Sequence, residues 1–157
     1  MITIDIPGRR SLVLHHLVLD FNGTLACDGQ LLPGVAETLQ RLAKQLEVHV
    51  LTADTHGSAR QKLAGLPCSL AILDPTGQDL AKETYLKELP PAASAAAIGN
   101  GRNDCRMLDS AALGIAVIQT EGAAVATLLA ADVVVPDICS AFDLLLKPRR
   151  LVATLRS

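Results

Sequence analysis

The sequence predicts an α/β fold with a mainly parallel sheet covered by helices on both faces. Short apolar runs alternate along the chain with segments of helical spacing, the pattern of successive βα units. Half of the 157 residues are apolar, yet there are only two Phe, one Tyr and no Trp. Such a core has to be built from Leu, Val, Ile and Ala, as buried parallel strands usually are. Polar residues stand where the apolar runs end, and in open parallel sheets the carboxyl ends of the strands form the ligand crevice.

Leu12 to Leu19 (LVLHHLVL) reads as one buried strand ending at Asp20, and Ile2 to Ile6 as a further strand before Pro7-Gly8. Val35 to Leu46 carries apolar residues at helical spacing. Val48 to Leu51 is a strand ending at Thr52; Ser58 to Leu63 is a short helix and Ser69 to Leu73 a strand. Leu80 to Leu89 is a helix stopped by Pro90-Pro91. Ala95 to Ile98 is a strand ending at Gly99, Asn103 to Ala112 a helix, and Gly114 to Ile118 a strand. Ala123 to Ala130 is a helix, Val133 to Val135 a short strand and Ser140 to Leu146 a final helix. The length favours a single domain over residues 1–157.

The net charge of −2 leaves no electrostatic footprint for nucleic acid. The basic clusters Arg9-Arg10 and Lys147 to Arg150 read as solvated ends. Cys27, Cys68, Cys105 and Cys139 form no CxxC pair, which argues against a zinc site or a disulfide framework and for reduced thiols in the cytoplasm. The first residues lack the basic-then-apolar order of a signal peptide, and no apolar run is long enough to span a membrane.

Three strand ends carry the chemistry. In Asp20-Phe21-Asn22-Gly23-Thr24-Leu25, an apolar strand delivers a carboxylate and a glycine allows a tight turn. Asp20 could attack phosphorus or ligate a hard cation, or simply cap the turn. Thr52 could donate to a phosphate oxygen or cap the following helix. Lys82 could neutralise a transferring phosphoryl group, although most such lysines lie on the surface. Gly99-Asn100-Gly101-Arg102-Asn103-Asp104 places oxygen donors between glycines before a helix, which suits a hydrated magnesium ion.

In this order the elements resemble the motifs of the haloacid dehalogenase (HAD) superfamily. DFNGTL at 20–25 is similar to DxDGT, and to the DKTGT of P-type ATPase phosphorylation domains. LTADT at 51–55, KETYLKEL at 82–89 and GNGRND at 99–104 resemble the second, third and fourth motifs. The stretch from Ala111 to Val135 also looks like its P-type ATPase counterpart. The resemblance implies a three-layer Rossmann-like fold and Mg2+ as cofactor. Asp20 would be the nucleophile and a metal ligand, with the Asn22 carbonyl as a second ligand. Thr52, Ala53 and Lys82 would hold the phosphoryl oxygens, and Asn100 and Asp104 would lie on the metal side. The short segments between motifs leave no room for a cap domain. In the family an open site of this kind implies a macromolecular substrate or an oligomer that closes the site; the expected partner is a phosphorylated small molecule or a phosphoprotein, or a second copy in a homo-oligomer.

Two positions depart from the phosphatase pattern. Asn22 stands where an Asp usually acts as general acid, and an amide cannot shuttle a proton at neutral pH. Asn100 replaces an Asp ligand with an uncharged oxygen. The expectation is a magnesium-dependent phosphohydrolase that is slow on simple phosphomonoesters. The alternative is a regulatory or binding module that keeps the phosphate site and turns over little.

Overall fold

The computed structural model describes residues 1–9, 11–54, 57–91 and 94–157. Its centre is a parallel sheet of six strands. In chain order these are β3 (His16–Asp20), β6 (Glu47–Thr52), β7 (Ser69–Ile72), β8 (Ala95–Gly99), β9 (Leu113–Val117) and β10 (Val133–Val135). Their spatial order is β10-β9-β8-β3-β6-β7, so β3 lies centrally, between β8 and β6.

Alternation along the strands sorts the side chains onto two faces. Leu17 and Leu19, Val48 and Val50, Ala96 and Ile98, and Ile115 and Val117 face one cluster. That cluster is closed by α1 (Val35–Leu42), α6 (Ile138–Leu146) and α7 (Pro148–Leu155). Val18, Leu51, Ala97 and Ala116 face the other cluster, with Leu86, Met107 and Leu108. These come from α3 (Gln78–Glu88) and α4 (Cys105–Ser110), the latter preceded by a 3-10 turn at Arg102–Asp104. The remaining helices, α2 (Ala59–Lys62) and α5 (Val125–Ala130), are short.

The expected parallel sheet with helices on both faces is therefore present. The first helix ends at Leu42, short of the expected Leu46, and two further segments differ from expectation. The run from Leu12 to Leu19 is two strands, because the chain breaks at His15. There the N–H groups of His15 and His16 both donate to the Ser94 carbonyl, at 2.8 and 3.2 Å. β2 (Leu12–Leu14) then pairs antiparallel with β1 (Ile2–Ile4) in a separate hairpin. The basic tail is also helical. Its charged groups are exposed as expected, with Arg150 and Lys147 on Asp143 at 2.7 and 2.8 Å, but Leu151 is fully buried. Arg9 pairs with Asp132 at 3.0 Å, and Arg10 lies outside the described residues.

Between β3 and β6 lie only α1 and a small hairpin, β4 (Ala26–Cys27) and β5 (Gln30–Leu31). Between β6 and β8 lie α2, β7 and α3. Among the described residues neither interval holds an inserted domain. Among the described residues no helix is long and apolar enough to cross a membrane, and all four cysteines are free thiols.

Candidate active site

Asp20 ends β3, Thr52 ends β6 and Gly99-Asn100 ends β8, so three adjacent strands deliver these groups to one edge. Lys82 reaches the same point from the sheet-facing side of α3. Its Nζ lies 2.6 Å from Asp20 Oδ1 and 2.6 Å from Asp104 Oδ1. Lys82 and Asp104 have no exposed side-chain surface. A lysine so placed is not a surface residue, and burial without its partners would be prohibitive.

The three groups carry two negative charges against one positive. Burial, reinforced by Asp104, raises the Asp20 pKa from 3.8 to about 7, with Lys82 pulling the other way. Burial works against the charge on Lys82, but the two carboxylates outweigh it and hold its pKa above the ordinary value.

The motif implied that Asp104 lies on the metal side. Its Oδ1 is on Lys82, and its Oδ2 accepts from the N–H groups of Asn100 and Gly101 at 3.0 and 2.9 Å. Both oxygens are thus engaged, in a spot closed to solvent. Gly99 makes this possible: a Cβ there would stand 2.5 Å from Asp104 Cγ.

The first-motif loop folds over Phe21, whose carbonyl accepts from Leu25 and Ala26 at 2.9 and 3.0 Å. Gly23 has φ +78°, and a Cβ on it would lie 2.5 Å from Asn100 Nδ2. Asn100 is held in turn: Thr24 Oγ1 donates to its Oδ1 at 3.3 Å, and its Nδ2 donates to the Gly122 carbonyl at 2.9 Å. Gln119 braces the loop from β9's end. Its Nε2 donates to the Gly23 and Thr24 carbonyls at 2.7 and 2.8 Å, while its Oε1 accepts from Ile138 N–H.

Thr52 does not cap the following helix, whose N-cap residue is Ser58. Its Oγ1 accepts from Asp54 N–H at 3.0 Å, which leaves its own proton to donate elsewhere. Asn22 Nδ2 approaches it at 3.5 Å. Asp54 Oδ1, from the loop before the helix, accepts from the N–H of Ala59, the first residue of α2, at 2.9 Å. Thr55, the last residue of LTADT, lies outside the described residues.

Asp20, Asn22, Thr52, Ala53 and Asn100 line one crevice of 170 Å³. The structure thus brings these sequence-picked residues together, with Lys82 and Asp104 directly beneath. Sequence reasoning missed four neighbours. Gln78 and Asn103 form one wall and are joined by a 2.8 Å hydrogen bond. Gln119 supports the loop, and Glu121 lines the crevice. Glu121 Oε2 and Asn100 Oδ1 each lie 2.8 Å from the point where a Gly23 Cβ would be. Glu121 could have been found by applying the strand-end rule to β9, which is followed by Gln-Thr-Glu-Gly.

The crevice offers only oxygen and amide donors, and its negative charges outnumber its positive ones. A hard divalent cation fits that donor set and would relieve the buried excess. A larger hollow of 550 Å³ adjoins it beyond Gln78 and Asn103, with Arg102 and Arg106 on its wall.

Comparison with known proteins gives two kinds of relative. An uncharacterized protein of Methanocaldococcus jannaschii is 49% identical over 82 residues, half of this chain and 88% of its own length. A second from the same organism is 46% identical over 39 residues, 25% of this chain and 89% of its own length. No family model matches the chain. Among solved structures, the cobalt-bound deoxy-D-mannose-octulosonate 8-phosphate phosphatase of Haemophilus influenzae superposes with TM-score 0.71 at 16% identity, covering 92% of this chain and 94% of that one. The corresponding Moraxella catarrhalis phosphatase, solved with magnesium, phosphate and KDO, gives 0.66 at 18% identity, covering 91% and 94%. BT1666 of Bacteroides thetaiotaomicron, from a study of HAD superfamily phosphatases, gives 0.61 at 13% identity, covering 90% and 96%. At these identities the likeness is one of fold.

Proposed function

From its HAD fold, and its membership in one sequence family with the two M. jannaschii proteins, we propose that this chain is a magnesium-dependent phosphohydrolase acting through Asp20. The observation that carries this reading is the buried Asp20–Lys82–Asp104 group opening onto a crevice of phosphate size. A decayed site has no reason to keep a buried lysine between two carboxylates.

An Asp20 carboxylate oxygen attacks phosphorus, and the bond to the leaving-group oxygen breaks with its electron pair. Lys82, the Thr52 hydroxyl and the Ala53 backbone N–H hold the phosphoryl oxygens. Positioning and charge neutralisation provide most of the acceleration in such transfers. Asp104 is a positioning residue that fixes the Lys82 ammonium. Asp20, the Asn22 carbonyl and Asn100 would hold magnesium, which would supply charge neutralisation at the transferring group. Glu121 adds a carboxylate beside Asn100, where that position itself has none.

Asn22 can orient the leaving group but gives it no proton, so water has to protonate it. Alkyl phosphates are therefore poor substrates, and aryl or acyl phosphates better ones. The P-type ATPase-like pattern agrees with an aspartyl-phosphate that hydrolyses slowly. The adjoining hollow offers room for a small leaving group; Arg102 lies on its wall, while Arg106 there is already paired with Asp79 at 3.0 Å. We take residues 1–157 as one capless catalytic unit.

Hydrolysis of an aryl phosphate, with and without Mg2+, tests the reading beside an Asp20→Asn control. Magnesium-dependent turnover that disappears in the control supports it. Phosphate binding without turnover of aryl or acyl phosphates would favour the regulatory module, for which Asn22 is the specific observation.

A further inference from the structure

A second polar group lies at the opposite edge of the sheet. Strand β3 starts at His16, and β6 carries Glu47 and His49. The register pairs His16 with Glu47 and Val18 with His49. Residues 16, 47 and 49 share the strand parity of Val18 and Leu51, so they belong to the face covered by α3. His16 is four residues before Asp20, about 13 Å along the strand, so this group is separate from the crevice.

We propose that His16, His49 and Glu47 form a binding site for a divalent transition metal of zinc type. His16 Nδ1 lies 3.1 Å from His49 Nε2 and 3.5 Å from Glu47 Oε2. One ligand atom from each residue falls within 4.8 Å of the others. Zinc–nitrogen bonds of about 2.0–2.1 Å in a tetrahedron put neighbouring ligands about 3.3 Å apart, close to the first two distances. The ligand set, two imidazoles and one carboxylate, is one that zinc takes with a water in the fourth position.

The surroundings have the form expected around metal-bound histidines, whose other ring nitrogen is usually tied to an acceptor. His16 Nε2 lies 2.7 Å from the Pro90 carbonyl. A carbonyl can only accept, so Nε2 carries the proton and the Nδ1 lone pair is turned to the cluster. His49 Nδ1 lies 3.0 Å from the Tyr85 hydroxyl, which can accept in the same way. Both imidazoles are buried, while the Glu47 carboxylate is 77% exposed. Glu47 and His49 border a hollow of 420 Å³ with Pro67 and Cys68, which gives a metal and its water a route from solvent.

A metal-free hydrogen-bond chain also satisfies these atoms: Tyr85 donates to His49 and His49 to His16. Metal binding therefore has to be measured. The 157-residue chain stripped of metal is titrated with Zn2+ by calorimetry in saturating Mg2+, and Co2+ absorption reports the geometry. The expected result is one Zn2+ per chain, a tetrahedral Co2+ spectrum and a higher Tm with zinc. Asp20→Asn should leave all three unchanged. His49→Gln should lose binding by on the order of 100-fold, and Glu47→Gln, at an exposed side chain, should weaken it about tenfold or more without altering the metal-free Tm. Tyr85→Phe keeps the ligands and should retain the Co2+ spectrum. If His49→Gln does not fold, Glu47→Gln decides. No binding in the wild type, or binding that Glu47→Gln leaves unchanged, overturns the proposal.

Discussion

Lys82→Met removes the cation while nearly keeping the side-chain volume. Its ammonium has Asp20 and Asp104 each at 2.6 Å, and neither it nor Asp104 is exposed. Removing one partner from a buried pair costs about 3–5 kcal/mol, because the charge left behind is uncompensated. Here two carboxylates are left. The whole stability of a domain is only about 5–15 kcal/mol, so the loss should be large but survivable. Its pH dependence is more telling. Burial and Asp104 already raise the Asp20 pKa from 3.8 to about 7, and Lys82 is the group lowering it. Without Lys82 the folded-state pKa rises further. A carboxyl raised in this way contributes stability that is fully present below 3.8 and is lost as pH climbs through the folded value. The deficit of Lys82→Met should therefore be smaller near about pH 5 and larger near about pH 8, growing once pH passes the wild-type value of about 7. Urea denaturation at both pH values, followed by circular dichroism, measures it. Adding Asp104→Asn should restore part of the loss at the higher pH. A deficit below about 1 kcal/mol, or one equal at both pH values, would refute the buried-charge reasoning.

Asn22→Asp restores a proton donor and should raise alkyl-phosphate hydrolysis by about 10²-fold or more, read as phosphate release, with a smaller change for aryl phosphates. Asn100→Asp should tighten Mg2+ binding and Glu121→Gln should loosen it, both read from the Mg2+ dependence of Tm. Gly99→Ala forces a methyl group against Asp104 and should cost about 1–3 kcal/mol in urea, with loss of turnover as Lys82 shifts. Gln119→Leu releases the first-motif loop, and hydrogen exchange at the amides of Gly23 to Ala26 should speed up while the β3 amides stay protected.

The parallel sheet was legible because its strands are continuous aliphatic runs, a signal that survives without tertiary context. The break at His15 was not, since LVLHHLVL reads as one run and the interruption comes from Ser94, far along the chain. The C-terminal helix was hidden by its charges: Leu151 and its neighbours are too few to show above the basic residues. Strand ends identified Asp20, Thr52 and Asn100, and the structure places them side by side. The position of Lys82 was less visible, because α3 has almost no apolar stripe and its buried face is a lysine and a leucine. For Asp104 the motif gave the location, but only the backbone of Asn100 and Gly101 shows where its second oxygen is held. His16 and His49 looked like ordinary strand residues until the register of β3 and β6 set them together.

The depth of the Lys82–Asp104 pair separates two kinds of electrostatics in this protein. Dissolved ions weaken an interaction only where they can come between the partners, and this pair offers them no surface. Sodium chloride should leave the innermost attraction untouched. Any ionic-strength effect on turnover would then come from the outer ring, from the exposed Glu121 and Arg102 and the charges a substrate brings. The same seclusion shields the ammonium from acylating reagents, so chemical labelling of lysines in the folded chain should pass it by.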